Sequence, residues 1–205
     1  ALKAGGAGPL SQTMSLGAEA MRLSVEGRDP SEAAEFSMVS EARDLSMQVD
    51  AALAPDMSKT DVSELLRDGF RFAGGYRIGA NTYTIRSHDA QQQVEISGAA
   101  DGASVDLSLD AAAMRYGVAV DGFDVTLASS ELPFPSVNVR LEALGASFLL
   151  PLTGGPDLQD FALGLRIVGL ALPAEIWGML DPIGNLPRDP ATAILDLKGK
   201  VALFG

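Results

Sequence analysis

Two Asp-Gly pairs, each flanked by alternating apolar residues, most constrain what this chain can form. Asp-Gly is the preferred pair for the two-residue turn of a β-hairpin, because both central residues of that turn need positive φ. Asp101-Gly102 predicts a hairpin that sets Ile96 against Leu107. A slip of one residue would turn every apolar side chain to water, so the register is strongly specified. The sequence therefore predicts antiparallel strands whose apolar side chains lie on one face of the sheet, shielded from water.

The second pair, Asp121-Gly122, predicts another hairpin by the same arithmetic, with Val118 set against Val125. Two further reversals complete the predicted meander. A turn at residues 80–81 sets Ile78 against Tyr83, and a loop at residues 88–91 places Ile85 across from Val94.

Alternating apolar residues predict more strands outside this region. Residues 14–25 form a strand with a bulge near Met21, residues 45–53 form a regular strand, and a last strand covers residues 192–204. Residues 137–152 fit either a hairpin that pairs Leu141 with Phe148, which we prefer, or one long strand with a bulge. Residues 161–172 form another long strand with a bulge.

Helical spacing of apolar residues is confined to two short segments. The first covers about residues 59–68, with Thr60 as the N-cap, and the second about residues 173–181, opened by Pro173. The predicted fold is mainly β: a long, twisted antiparallel meander that curls into a half-open roll, with the two helices plugging its concave side, because long sheets seldom stay flat.

The amino-acid composition limits the classes of fold and partner that are possible for this chain. The 205 residues are 47% hydrophobic, which is ample for a core, and they predict a single β-rich domain over residues 1–205. The net charge of -12 repels phosphate backbones, so we expect no nucleic-acid partner. No apolar run reaches the roughly 18 residues of a transmembrane helix.

The chain starts at Ala1 and stops directly after a strand pattern, so we interpret it as a fragment of a longer protein.

Few residues offer catalytic chemistry. One His and no Cys preclude a zinc site of the usual ligands, and His88, in a predicted loop, is expected to face solvent. No metal site or cofactor is predicted. Asp181, Asp189 and Asp196 could converge as paired carboxylates, although caps, turns and solvated strand faces account for them more simply.

The second helix carries the most concentrated apolar stripe, which includes the single Trp of the chain. Packing against the sheet is the default interpretation of such a stripe, and lining an apolar ligand groove is the alternative. The candidate binding residues are Ile176, Trp177, Met179 and Leu180.

This same helix opens a motif with a family resemblance. Residues 176–182 read IWGMLDP, and LPRDPAT follows at residues 186–192. Upstream, GGY at residues 74–76 and ELPFP at residues 131–135 agree. The chain resembles domain of unknown function 2125, an alphaproteobacterial family. The resemblance implies an exported protein with an N-terminal signal or anchor in a periplasmic or envelope setting. It implies no activity and no catalytic residue.

The sequence thus favours a non-enzymatic envelope protein whose concave apolar face holds an acyl chain, from a lipid, or an apolar protein segment. The alternative hypothesis is a structural or assembly module that pairs with a partner through an exposed edge strand, motivated by the long last strand. A hydrolase built on acidic pairs is a third, weaker hypothesis.

Overall fold

The computed structural model describes residues 10–29, 31, 34–59, 61–89, 91–133, 135–152, 157–185 and 190–202. Within them, ten strands form one antiparallel sheet and two short helices lie in its connections. The predicted fold class is therefore confirmed. The strands are β1 (Leu10–Asp29), β2 (Ala34–Leu53), β3 (Arg71–Ile78), β4 (Asn81–His88), β5 (Gln93–Ala100), β6 (Gly102–Leu109), β7 (Ala113–Ser129), β8 (Val137–Pro151), β9 (Gln159–Leu170) and β10 (Ala191–Val201).

The ten strands occupy eight rows. β3 and β4 lie end to end along β2, with Tyr76 opposite Met47 and Ile85 opposite Met38. β6 and β5 lie end to end in the next row, and both pair with β7. β8, β9 and β10 follow in chain order, and β1 lies at the other edge beside β2. Every row is antiparallel to its neighbours, so the chain is a meander of long strands.

The hairpin predicted at Asp101-Gly102 is wrong. β5 and β6 do not pair with each other; Ile96 lies opposite Leu127 and Leu107 opposite Tyr116, both on β7. The physical reason is the backbone, because a type I′ turn needs positive φ at both central residues and neither residue of this pair has it. The chain therefore continues from β5 into β6 without reversing its direction.

The hairpin predicted at Asp121-Gly122 is wrong for a related reason. Gly122 has a φ of 60°, but Asp121 does not have positive φ, and both residues lie inside β7. Val118 pairs with Val105 and Ala146 rather than with Val125.

Three smaller predictions are corrected as well. The turn at residues 80–81 is a continuation of the row from β3 into β4. The preferred hairpin within residues 137–152 is wrong, and its alternative, one long strand, is confirmed as β8. The loop after β4 is a true reversal, but Ile85 lies opposite Ile96 instead of Val94.

The interruptions in these rows align across the sheet, and we call this line the seam. Its members are Asp44 in β2, residues 79–80 between β3 and β4, Asp101 between β5 and β6, Gly122 in β7 and Gly169 in β9. Asp44, Gly122 and Gly169 have φ values of 53°, 60° and 68°. The pairing register is the same on both sides of the seam for β2 with β3 and β4, and for β7 with β6 and β5.

At the seam the apolar alternation changes parity. In β7, Tyr116 and Val118 are even-numbered members of the apolar set, whereas Phe123 and Val125 beyond Gly122 are odd-numbered. A residue with positive φ inside a strand breaks the two-residue alternation and redirects the side chains that follow it. The seam therefore keeps the apolar set on one face along the whole length of each row.

Both predicted helices are confirmed. α1 (Val62–Arg67) follows β2 and α2 (Ala174–Leu180) follows β9. The N-cap of α1 is Asp61, which accepts a hydrogen bond from the Ser63 backbone N–H at 2.8 Å, and the predicted cap Thr60 lies outside the described residues. Because β2 and β9 run in opposite directions, the helices lie at opposite ends of the sheet. Both occupy strand connections, and their plugging of the concave side stays a prediction.

Few side chains in the described residues are buried. Leu66 of α1 is 2% exposed and Trp177 of α2 is 8% exposed. The other buried hydrophobic residues are Ala42, Ala54, Ala100, Ala113 and Val137. Most of the stabilising apolar contact therefore lies between neighbouring strands on one face of the sheet, and not between two packed layers.

Candidate functional site

One face of the sheet presents continuous rows of apolar side chains that run across the strands. We call it the apolar face. It is defined by three apolar rows, each of which runs across the strands and so crosses the strand rows described above. The first is Met14, Val49, Gly74, Leu107, Tyr116, Phe148, Leu163 and Leu197; the second is Leu16, Met47, Tyr76, Val105, Val118, Ala146, Leu165 and Leu195; the third, across the seam, is Val25, Met38, Ile85, Ile96, Leu127 and Val137.

No member of these rows is charged, and the only polar groups are two tyrosine hydroxyls. Cross-strand neighbours lie side by side along each apolar row, and the rings of Tyr116 and Phe148 in the first row stack with centroids 5.2 Å apart. Cross-strand pairs of this kind stabilise a sheet by about 0.2–1 kcal/mol each. The apolar face is therefore stabilised by contacts between side chains on neighbouring strands.

Within the part of the chain that the structure describes, no second layer of strands or helices covers the apolar face. Of the residues in the three rows, only Val137 is less than a tenth exposed. At the centre of the sheet Leu107 is 36% exposed and Tyr76 38%, while near the edges Leu16 reaches 65% and Leu197 49%. Contiguous exposed apolar surface of this extent marks an interaction site on a folded protein.

The total surface area leads to the same conclusion. The chain exposes 13752 Å², whereas a folded monomer of 21.3 kDa is expected to expose about 9,100 Å². A single-layer sheet contributes to this excess, since a sheet normally buries its apolar face against another layer.

The opposite face is polar and is crossed by exposed ion pairs. Arg86 Nε lies 2.9 Å from Glu95 Oε2, and Arg77 Nη2 lies 3.3 Å from Asp106 Oδ1. The hydrogen bond from Arg86 holds the pKa of the Glu95 carboxyl below its usual value. Exposed pairs of this kind contribute little stability, so their main effect is to keep this face solvated.

Two open depressions of the surface have several polar-face residues in their linings. One of about 520 Å³ includes Ser15, Gln48 and Gly75 in its lining, and another of about 410 Å³ includes Gly117 and Ser147. All five residues have the parity opposite to that of the apolar rows.

The four predicted binding residues of α2 do not share one environment. Trp177 is buried and Ile176 half-buried, whereas Met179 is 67% and Leu180 61% exposed. The helix follows β9, which places its start at the end of the sheet where β9 ends. Their role in ligand binding stays a prediction.

The acidic residues considered for catalysis have separate structural roles. Asp181 is 7% exposed, and its Oδ1 accepts hydrogen bonds from the backbone N–H groups of Gly184 and Asn185, both at 3.0 Å. Asp196 forms an exposed ion pair with Lys198 at 3.0 Å. Asp189 lies outside the described residues.

No group of three or more His, Asp or Glu side chains in the described residues is arranged to hold a metal ion. His88 is exposed as predicted, but it is the last residue of β4 rather than part of a loop. None of the described helices combines the length and the apolar character needed to cross a membrane.

Comparisons with protein-family models, with curated proteins and with solved structures found no match to this chain. The resemblance to domain of unknown function 2125 therefore stays a prediction.

The apolar face was predicted from alternation, but the seam was not. The signal for it was present in the sequence as the parity change of apolar residues at residues 79–80, 101–102, 121–122 and 168–169. A hairpin and a mid-strand irregularity produce the same parity change, and the Asp-Gly pairs favoured the hairpin.

Proposed function

We propose that this protein is a non-enzymatic acyl-chain-binding protein of the cell envelope, and that its apolar face is the binding surface. The single observation that supports this is the uncharged, uncovered surface formed by the apolar rows. Nothing on it specifies a polar ligand, and an acyl chain requires no polar partner along its length.

The dimensions of the face suit an extended hydrocarbon. Eight rows of strands span about 34 Å across the sheet, because neighbouring strands lie about 4.8 Å apart. Neighbouring apolar rows are two residues apart along each strand, or about 7 Å, which leaves shallow channels between them. Each CH₂ group removed from water on such a surface contributes about 0.8 kcal/mol.

The envelope location comes from the family resemblance alone and is part of the proposal. It is compatible with a cysteine-free chain, which cannot form aberrant disulfides in an oxidising compartment.

The test is direct chemical analysis of the purified protein. We expect organic extraction followed by mass spectrometry to release acyl lipids. Leu107→Lys, which places a charge at the centre of the apolar face, should reduce the lipid content at least several-fold. Its control, Ser108→Lys, introduces the same side chain at the next residue of β6, on the polar face, and should retain the lipid.

Circular dichroism of both variants would verify that the sheet is preserved. The absence of lipid from the wild-type protein, together with failure to bind added fatty acid, would refute the proposal. So would equal loss of lipid from both variants.

The second candidate function is assembly through an edge strand. In the described residues β1 pairs only with β2, and β10 pairs only with β9. These edges are 20 and 11 residues long. Long unprotected edges are sites at which another strand can add by main-chain hydrogen bonds. Light scattering across a range of concentrations would test this: a persistent monomer excludes it.

A further inference from the structure

The two edge strands of the sheet are complementary in direction. Because there are eight antiparallel rows, an even number, β1 and β10 run antiparallel to each other. A second copy that continued the sheet beyond β10, with the same twist between neighbouring strands, would therefore bring its β1 antiparallel beside β10. The alternation of hydrogen-bonded and non-hydrogen-bonded pairs would also continue in phase, since an even number of rows restores it.

The apolar rows specify the register of such a contact. Leu195 ends the row that begins at Leu16, and Leu197 ends the row that begins at Met14. Continuing each row into the next copy sets Leu195 opposite Leu16 and Leu197 opposite Met14. These side chains are among the most exposed of the apolar face, at 52% and 65% for the first pair and 49% and 49% for the second.

The polar face adds an independent observation. Ile194 is a large apolar side chain on the polar side of β10 and is 67% exposed. In the register specified by the rows it lies opposite Gly17, where an added Cβ would meet only the carbonyl oxygen of Leu45 at 3.6 Å. The same pairing of a large side chain with a cross-strand glycine occurs inside the sheet, where the ring of Phe161 covers Gly199.

Charges do not oppose this contact. The same register places Asp196 opposite Ser15 and Lys198 opposite Thr13, so no like charges face each other. Each copy would add strand pairing over residues 10–18 and 193–201.

We infer that the partner of the free edges is a second copy of this chain, joined head to tail through β10 of one copy and β1 of the next, with Leu195 opposite Leu16. This inference rests on the second candidate function, edge pairing, and is independent of lipid binding. The contact is heterologous, so it generates head-to-tail oligomers, as a ring or an open series, rather than an isologous dimer.

The absence of cysteine from the chain permits a test by disulfide trapping. Two single variants, Ser15→Cys and Asp196→Cys, are mixed and oxidised. Cross-linked peptides joining positions 15 and 196 are then quantified by mass spectrometry. The matched control replaces Asp196→Cys by Lys200→Cys, four residues along the same face of β10 and about 13 Å away. We expect about tenfold or more cross-linking for the first mixture, because disulfides need Cα atoms within about 7 Å.

Light scattering on the wild-type protein and on Ile194→Glu distinguishes a failure of edge pairing from a failure of the head-to-tail register. We expect a concentration-dependent series of oligomers that Ile194→Glu shifts towards monomer without changing the lipid content. A wild-type monomer would overturn both edge pairing and this contact. Oligomers that cross-link equally well or better at position 200, or that form independently of Ile194, would overturn the head-to-tail register and leave edge pairing standing.

Discussion

At the scale of single residues, the seam depends on glycines that lie beneath acidic side chains of the neighbouring row. A Cβ added at Gly122 would collide with the carboxylate of Asp101, and one added at Gly169 would collide with the side chain of Glu142. Both glycines also have positive φ. Two separate constraints, backbone conformation and space, thus exclude a side chain at these positions.

Gly122→Ala should therefore destabilise the protein. We expect a loss of about 1–2 kcal/mol in the free energy of unfolding from the positive φ alone, with the collision adding to it. Urea denaturation followed by circular dichroism measures the loss. The control is Gly117→Ala in the same strand, where an added Cβ meets nothing within 4 Å. It should be neutral or stabilise by up to about 1 kcal/mol. Equal effects of the two substitutions would contradict this account of the seam.

Asp124 on the polar face links stability to pH. Its carboxylate accepts hydrogen bonds from Asn138 Nδ2 and Arg140 Nε, both at 2.6 Å, and these hold the pKa of Asp124 below its ordinary value of 3.8. Because the pKa is lower in the folded state, the stabilisation is fully present above the ordinary pKa and is lost as the pH falls through the folded pKa.

We therefore expect the wild-type protein to lose stability below about pH 4, and Asp124→Asn to lose less over the same range. Urea midpoints at pH 7 and pH 3 would measure the difference. Asp121→Asn removes a charge from the same strand outside this network and should follow the wild-type profile. If Asp124→Asn also followed the wild-type profile, these hydrogen bonds would have no role in acid stability.

At the scale of elements, the sequence predicted which segments are strands better than how they connect. The strict alternation of residues 45–53 and the helical spacing of residues 62–66 each specify one structure, and both are confirmed. The Asp-Gly pairs were misinterpreted because local turn preference depends on φ values that tertiary pairing overrode. Which strands pair with each other is determined by long-range contacts, and neither Asp-Gly pair encodes those contacts.

The candidate site was predictable only in part. Alternation identified an apolar face, but the uncovered state of that face depends on the absence of a second layer over the described sheet, which no local pattern reports. The predicted site on α2 combined residues that share a helical spacing but differ in exposure, with Trp177 buried and Met179 exposed.

These exposures give α2 a simple mutational prediction. Trp177→Ala should lower the free energy of unfolding by about 3–5 kcal/mol, because it removes a large buried side chain. Met179→Ala, two residues away and 67% exposed, should change it by no more than about 0.5 kcal/mol. Chemical denaturation followed by circular dichroism compares the two. A large effect of Met179→Ala would indicate that the residue is covered in solution.

At the scale of the whole molecule, the sheet has an apolar face over which the described residues form no second layer. A single-layer sheet gains its stability from lateral contacts and hydrogen bonds, while much of its apolar surface stays in water. Any molecule that covers this face in the folded state and not in the unfolded chain stabilises the fold by mass action. The proposed binding of an acyl chain would therefore be coupled to folding stability.

Removal of bound lipid should accordingly lower the midpoint of thermal unfolding, and added fatty acid should raise it as its concentration increases. At a free ligand concentration of 100 times Kd the expected stabilisation is about 2.7 kcal/mol. Differential scanning calorimetry of the extracted protein, with and without fatty acid, measures the shift. Leu107→Lys should abolish the ligand-dependent part of it, and Ser108→Lys should preserve it, because only the first residue lies on the apolar face. A midpoint that does not respond to fatty acid in the wild-type protein would show that hydrocarbon does not cover this face.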